Sequence, residues 1–230
     1  MATDNTSHYP VWNLIQSPSD SSVWNMAIDQ YLLDTIELPV IRFYQWNHQC
    51  KSIGYFQSHA LVDSADFIRR PSGGGIVQHG KDLTISFIFP ASHPLFQLDR
   101  FDSYKEINQE LASAMSKFYQ LETTLYEHTI DESIDRRTMV CFEAPSKYDG
   151  ICNGEKVFGG AQKRTRSGML HQASIQIDKF ETKDTGHFIS QIIDQLKTSW
   201  SIEFKQMTID KNVCIEHKNK FASKEWNYKK

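Results

Sequence analysis

The sequence predicts an α+β domain in which mainly antiparallel and mixed sheets are flanked by helices. Three observations carry that expectation. Short runs of β-branched and aromatic residues follow one another with few helical segments between them. Amphipathic stripes at helical spacing stand near the start, middle and end of the series. The pair Asn153-Gly154 joins two of the runs as a two-residue hairpin turn would.

In chain order, the first helix is expected over residues 22–36, where Trp24, Ile28, Tyr31, Leu32 and Ile36 share a face. Strands are expected at 40–45, 51–56, 65–69, 76–78 and 83–89. A second helix opens with Ser103-Tyr104-Lys105-Glu106, which has the form of a capping box, and continues through Ile107, Leu111, Met115 and Phe118. Further strands are expected at 124–126, 139–142, 148–152, 156–158, 161–164 and 169–177. The third helix, 185–200, aligns Phe188, Ile192, Leu196 and Trp200. All three stripes read as core and are assigned no chemistry. From residue 201 the chain is polar and lysine-rich, a packed-down or partly loose tail.

The 230 residues, 40% hydrophobic and 12% aromatic, suit one globular domain with an adequate core. A net charge of −3 argues against a general nucleic-acid binder. The polar first seven residues resemble no secretory signal, and no apolar run approaches the roughly 20 residues of a membrane span. A soluble, cytoplasmic protein is expected. Cys50, Cys141, Cys152 and Cys214 are scattered without C-x-x-C spacing, so free thiols are expected and no metal site.

Two segments point to a binding site. Gly73-Gly74-Gly75 stands between strand-like runs, where glycines weaken a sheet unless something approaches the backbone closely. Arg70, Ser72 and His79 flank it, and the spacing fits neither a phosphate loop nor a dinucleotide fingerprint. In the second segment Lys156 follows the Asn153-Gly154 turn and precedes Gly159, Gly160 and Ala161, which are small enough for a ligand to lie against the backbone.

R-R-P-S-G-G-G-I-V-Q-H at 69–79 and G-E-K-V-F-G-G-A-Q-K-R at 154–164 resemble the lipoate–protein ligase, octanoyltransferase and biotin ligase superfamily. Asn25-Met26-Ala27-Ile28-Asp29 and Gly168-Met169-Leu170-His171-Gln172-Ala173-Ser174-Ile175 are similar to further motifs of it, and the resemblance covers about 11–200. Cys141-Phe142-Glu143-Ala144-Pro145-Ser146 looks like the C-F-x-x-P-S loop of the cysteine-dependent octanoyltransferases of the Gram-positive type. The resemblance implies the biotin/lipoate protein ligase catalytic-domain fold over 8–200, with 201–230 as a polar tail and no separate accessory domain. It implies transfer of octanoyl from octanoyl-acyl carrier protein, through a Cys141 thioester, to a lysine of a lipoyl domain. The glycine cleavage H protein or a dehydrogenase E2 subunit would be the acceptor, and no cofactor is implied. Gly80 stands where the family usually has an acidic residue, Asn47-His48 replaces a common proline pair, and Ala173 replaces a glycine.

The implied catalytic residues are Cys141 and Lys156, and the implied binding residues are Arg70, Ser72, Gly73, Gly74, Gly75, His79, Gly159, Gly160, Ala161 and His171. A free cysteine with a pKa of roughly 8.5 is mostly thiol at neutral pH, and an adjacent ammonium favours the thiolate. Lys156 would supply that charge and donate to the developing oxyanion. Exchange between thioesters needs no ATP. His79 or His171 is considered as the base for the acceptor amine. The triplet is expected to floor the acyl slot, where roughly six methylenes at about 0.8 kcal/mol each offer about 5 kcal/mol. The alternatives are an ATP-dependent lipoate or octanoate ligase, in which Arg70 and the glycine loop hold an adenylate, a lipoyl-domain amidotransferase, and a catalytically silent binding module.

Overall fold

The computed structural model describes residues 9–62, 66–129, 135, 138–142, 144–180 and 184–229. The polar first residues with His8, Ala65 of an expected strand and Glu143 of the cysteine loop lie outside these. The chain begins with β1 (Val11–Gln16), α1 (Ser22–Asp34), β2 (Val40–Tyr44) and β3 (Cys50–Ile53). Short strands β4 (Phe67–Arg69) and β5 (Val77–His79) bracket the glycine triplet, and β6 (Leu83–Pro90) is buried throughout. The single turn α2 (Pro94–Gln97) leads into α3 (Arg100–Tyr119) and β7 (Thr123–Leu125). Then come β8 (Gly150–Cys152), β9 (Glu155–Arg164), β10 (Gly168–Ile175) and α4 (Thr185–Trp200). The chain closes with β11 (Glu203–Gln206), α5 (Ile215–Ala222) and α6 (Lys224–Asn227).

Eight strands form a mixed sheet in the order β11-β1-β2-β6-β10-β9-β8-β7, parallel across β11, β1 and β2 and antiparallel elsewhere. A second sheet, β4-β3-β5, is also mixed. Because side chains alternate along a strand, the large sheet buries both faces. Ile41, Phe43, Phe87, Phe89 and Met169 meet α3 and α4 on one side. Val40, Ile88 and Leu170 meet Ile28, Leu32 and Leu33 of α1 on the other. The small sheet packs through Cys50 and Ile68 against Met26, Ala27, Tyr44 and Trp46. The α+β class and the mixed sheets flanked by helices are therefore as the sequence predicts.

Local signals explain most boundaries. Asn153 (φ 50°) and Gly154 (φ 80°) are both left-handed, as the expected turn between β8 and β9 demands. The helix over 185–200 is found with those limits, its first turn capped by Asp184. The α3 start differs from expectation: Asp99 is the cap and its carboxylate accepts from the amides of Phe101 and Asp102. Ser103 lies inside the helix, buried, four residues after Asp99, whose carboxylate satisfies two of the opening amides at once.

Other departures bear on the site. The expected strands 156–158 and 161–164 are one strand, β9, because β10 pairs with it straight through Gly159 and Gly160. The expected strand at 139–142 reduces to a parallel bridge between Ile76 and Val140. The run 51–56 stops at Ile53, where Arg69 gathers the carbonyls of Gly54, Tyr55 and Gln57 into a turn. Residues 11–16 form a strand outside the expected series. The lysine-rich stretch from residue 201 contributes edge strand β11, sets α5 against α1, and places the carbonyls of Trp226, Asn227 and Lys229 on Arg69.

Candidate active site

The feature with most chemistry is a buried lysine between a cysteine and an aspartate. Lys156 enters on β9 immediately after the hairpin turn and is 5% exposed. Its Nζ lies 3.4 Å from Cys141 Sγ and 2.7 Å from Asp149 Oδ2, and it donates to the Cys141 carbonyl. The Phe142 ring covers the same ammonium at 5.1 Å. Burial works against the Lys156 charge, but Cys141 and Asp149 outweigh it and hold its pKa above the ordinary value. Burial pushes the Asp149 carboxyl up, with Lys156 opposing. The charged pair is the form that fits, because Asp149 Oδ2 also accepts from the Ser146 amide at 2.6 Å and Oδ1 lies 2.9 Å from the Tyr104 hydroxyl.

Glycines shape this centre from two sides. A Cβ on Gly75 would lie 2.5 Å from the Met139 carbonyl oxygen and 3.2 Å from the Cys141 amide. The bare backbone instead pairs with the cysteine loop: Ile76 N donates to Met139 O at 3.0 Å and Cys141 N to Ile76 O at 2.8 Å. The close approach expected of the triplet is therefore in part an internal one, the seat of Cys141. Gly74 (φ 84°) turns the loop and faces Ala161, while Gly73 has open space around it. On β9, a Cβ at Gly159 would lie 2.7 Å from both Asp149 Oδ1 and Lys156 Cε, and one at Gly160 would lie 2.7 Å from His171 Nε2.

The polar candidates divide differently from expectation. Arg70 donates through Nε to Gly73 O, through Nη1 to Ser52 O and Oγ, and through Nη2 to Gly73 O and Gly75 O. Those contacts occupy its whole guanidinium, so Arg70 holds the triplet in shape and has no donor aimed outward. Burial lowers its pKa to about 10, which leaves it a cation. Ser72 donates to Gln172 (2.6 Å), which in turn donates to Asp29 (2.8 Å). His79 is stacked on Trp46 and held between Ser52 Oγ (2.7 Å) and Asp82 (2.8 Å). His171 is fully buried, and burial lowers its pKa to about 3. Its Nδ1 faces Gln162 at 3.3 Å and its Nε2 has no partner. A neutral imidazole that weakly basic is a poor proton acceptor at neutral pH.

Two cavities meet at β9. A narrow one of about 30 Å³ runs between the two sheets past Met26, Tyr44, Val77 and Ala173, with Cys141, Gly159, Gly160 and Ala161 in its wall. A wider one of about 450 Å³ shares Gly160 and Ala161 with it and has Gly73 and Gly74 along it. The triplet therefore borders the wide cavity, whereas the floor of the narrow slot is β9 and β10. Of the four cysteines, all free and buried, Cys141 is the one with a cation at its sulfur among the described residues. Burial raises the Cys50 thiol to about 12 and also raises Cys214.

Sequence reasoning missed Asp149 and Tyr104. Asp149 falls inside the expected strand 148–152, and Tyr104 sits inside what reads as a capping box. The Tyr104 hydroxyl accepts from Gly160 N at 2.6 Å and lies 2.7 Å from Gly160 O, tying α3 to the lysine strand. Among the described residues no group of three His, Cys, Asp or Glu side chains converges as metal ligands would, and no helix is long and apolar enough to cross a membrane.

Comparison with known proteins gives consistent relatives. The family described as the lipoyl protein ligase A/B catalytic domain matches residues 21–208. Octanoyltransferase LipM of Staphylococcus epidermidis is 37% identical over 184 residues, 73% of this chain and 66% of the relative. Octanoyltransferase LipM of Bacillus subtilis is 31% identical over 223 residues, 89% of this chain and 79% of the relative. The chain thus spans about two thirds of the length of the first of these. A lipoate-protein ligase A bound with ATP superposes with a TM-score of 0.77 at 19% identity, over 96% of this chain and 98% of that one. A bi-partite lipoate protein ligase from Thermoplasma acidophilum gives 0.71 at 17%, over 96% of each chain. At those identities the likeness establishes a shared fold.

Proposed function

Because the chain belongs to the lipoyl protein ligase A/B catalytic-domain family, we propose that it is an octanoyltransferase of protein lipoylation working through a Cys141 thioester. The observation that carries this reading is the Lys156 ammonium, buried, anchored by Asp149 and 3.4 Å from Cys141 Sγ. The similarity to the LipM octanoyltransferases supports the same acyl group. Octanoyl-acyl carrier protein is the proposed donor and a lipoyl-domain lysine the proposed acceptor.

The Cys141 thiolate, favoured by the adjacent ammonium, attacks the donor thioester carbonyl. A sulfur–carbon bond to Cys141 forms, the bond to the carrier sulfur breaks, and Lys156 gives a proton to the departing thiolate. In the second half the acceptor amine attacks the Cys141 thioester, a carbon–nitrogen bond forms and the cysteine sulfur leaves. The proton lost by that amine returns to Lys156. One lysine thus serves both halves as acid and then base, a role that the pKa of about 3 at His171 denies to that histidine. Lysine suits this because, unlike arginine, it can release its proton. The acyl chain lies along β9 beside Cys141, where the narrow slot of about 30 Å³ must widen to admit it.

A ligase reading would ask Arg70 to hold an adenylate, yet its donors are already taken by the glycine loop and Ser52. The test is incubation with octanoyl-acyl carrier protein and an apo lipoyl domain without ATP, read by intact mass. One octanoyl group on the acceptor, lost with Cys141→Ala, is expected. Acceptor modification that requires ATP and free octanoate, with AMP released, would replace transfer by ligation.

A further inference from the structure

Acyl transfer through Cys141 accounts for the narrow slot but not for the chemistry of the wide cavity. Its inner wall is Gly160 and Ala161, shared with the slot on which Cys141 opens. Tyr104 stands in the wall and touches both Gly160 and the Asp149 carboxylate, so the cavity reaches the lysine–cysteine centre. Farther out the wall carries Arg100, Phe101 and Lys147. Both cations stand over one ring: Arg100 lies 5.0 Å and Lys147 5.8 Å from the Phe101 centroid. Among the described residues no aspartate or glutamate lines this cavity. Asp99, next to Arg100 in sequence, is engaged by the amides that open α3.

An octanoyl chain gains nothing from two cations, and an incoming lysine amine would be repelled by them. A carrier arm has the complementary order of groups: a phosphate, then a polar amide chain, then the thioester sulfur. Guanidinium and ammonium together suit a phosphate, the first through its fork of donors and the second as a point charge. An aromatic wall suits amide planes between the ends.

We propose that the wide cavity is the subsite for the 4′-phosphopantetheine arm of the acyl donor. The phosphate rests between Arg100 and Lys147, the amides pass Phe101 and Tyr104, and the thioester arrives over Gly160 and Ala161 beside Cys141. This inference rests on the octanoyl-transfer reading and adds the recognition of the carrier to it.

The test measures the rate of Cys141 loading by intact mass for the full chain with four octanoyl thioesters: pantetheine, 4′-phosphopantetheine, coenzyme A and acyl carrier protein. The wild type is expected to load from phosphopantetheine roughly tenfold or more faster than from pantetheine at low donor concentration, since the pair adds charge-assisted hydrogen bonds. In the double variant Arg100→Ala with Lys147→Ala that ratio is expected to fall to about one. A ratio within one protein is independent of how much of it folds. Faster loading from the carrier protein than from coenzyme A would assign the arm to the carrier, and the reverse to coenzyme A; either supports the subsite when the phosphate dependence is present. A wild-type ratio near one, a ratio unchanged in the double variant, or a loss confined to the carrier protein would overturn it. Absence of loading from all four donors would instead contradict octanoyl transfer itself.

Discussion

Arg42–Asp29 and Lys156–Asp149 are both buried ion pairs on the large sheet, each closed at 2.7 Å, yet their surroundings differ. Arg42 also donates to Ser17 and to the carbonyl and side chain of Asn25, while Asp29 Oδ2 accepts from Tyr44, Ser86 and Gln172. Every charge there ends on a fixed partner, and the cation cannot give up its proton. Lys156 turns its remaining donors toward a cysteine carbonyl and a sulfur in the wall of a cavity. Burial alone therefore does not mark a reactive pair. What marks it is an exchangeable proton facing a nucleophile instead of a closed network.

Breaking each pair should separate the two roles. The largest effect is expected from Asp29→Asn, which strands a buried guanidinium and should cost about 3–5 kcal/mol of unfolding free energy in urea titrations. Lys156→Met should lower octanoyl transfer roughly 10²–10³-fold. It should cost less stability than Asp29→Asn, because Asp149 can take up a proton. Burial raises the Asp149 pKa, so its contribution in that variant is full below the unfolded value and is lost as pH rises. Urea midpoints for Lys156→Met against wild type should accordingly diverge more at pH 8 than at pH 5.

The glycine triplet sharpens the comparison from the backbone side. Gly75→Ala forces the Met139–Cys141 backbone away, and a displacement of about 1 Å at the nucleophile should cost roughly 10²-fold in rate. Gly73→Ala meets nothing within 4 Å and should change stability by less than about 0.5 kcal/mol. A pH-dependent effect concerns His171. Its folded pKa of about 3 lies below the unfolded value, so protons bind the unfolded chain preferentially as pH falls below that unfolded value. It should remove up to about 1.4 kcal/mol of stability per pH unit in that range, a slope that His171→Gln should lack.

How much of this was legible in the sequence depended on whether the signal was local. The Asn153-Gly154 turn, the helix at 185–200 and the succession of strands follow from short-range patterns, and the structure has them. Cys141, Lys156 and the two glycine segments carried motif signals and meet within one centre. Arg70 and His79 carried signals too, but long-range hydrogen bonds to Ser52 turn both inward, and Asp82 accepts on the other side of His79. Asp149 gave no signal, because its role exists only once β8 and β9 pair and bring Lys156 over it. The docking of Trp226, Asn227 and Lys229 on Arg69 spans more than 150 residues, which no local pattern encodes.

The most direct test of the cysteine–lysine centre is peptide mass spectrometry after incubation with octanoyl-acyl carrier protein in the absence of ATP. Octanoyl should be found on Cys141 and on none of Cys50, Cys152 or Cys214, and loading should vanish in Cys141→Ser and slow sharply in Lys156→Met. Octanoyl on Cys152, or undiminished transfer to a lipoyl domain by Cys141→Ser, would contradict it.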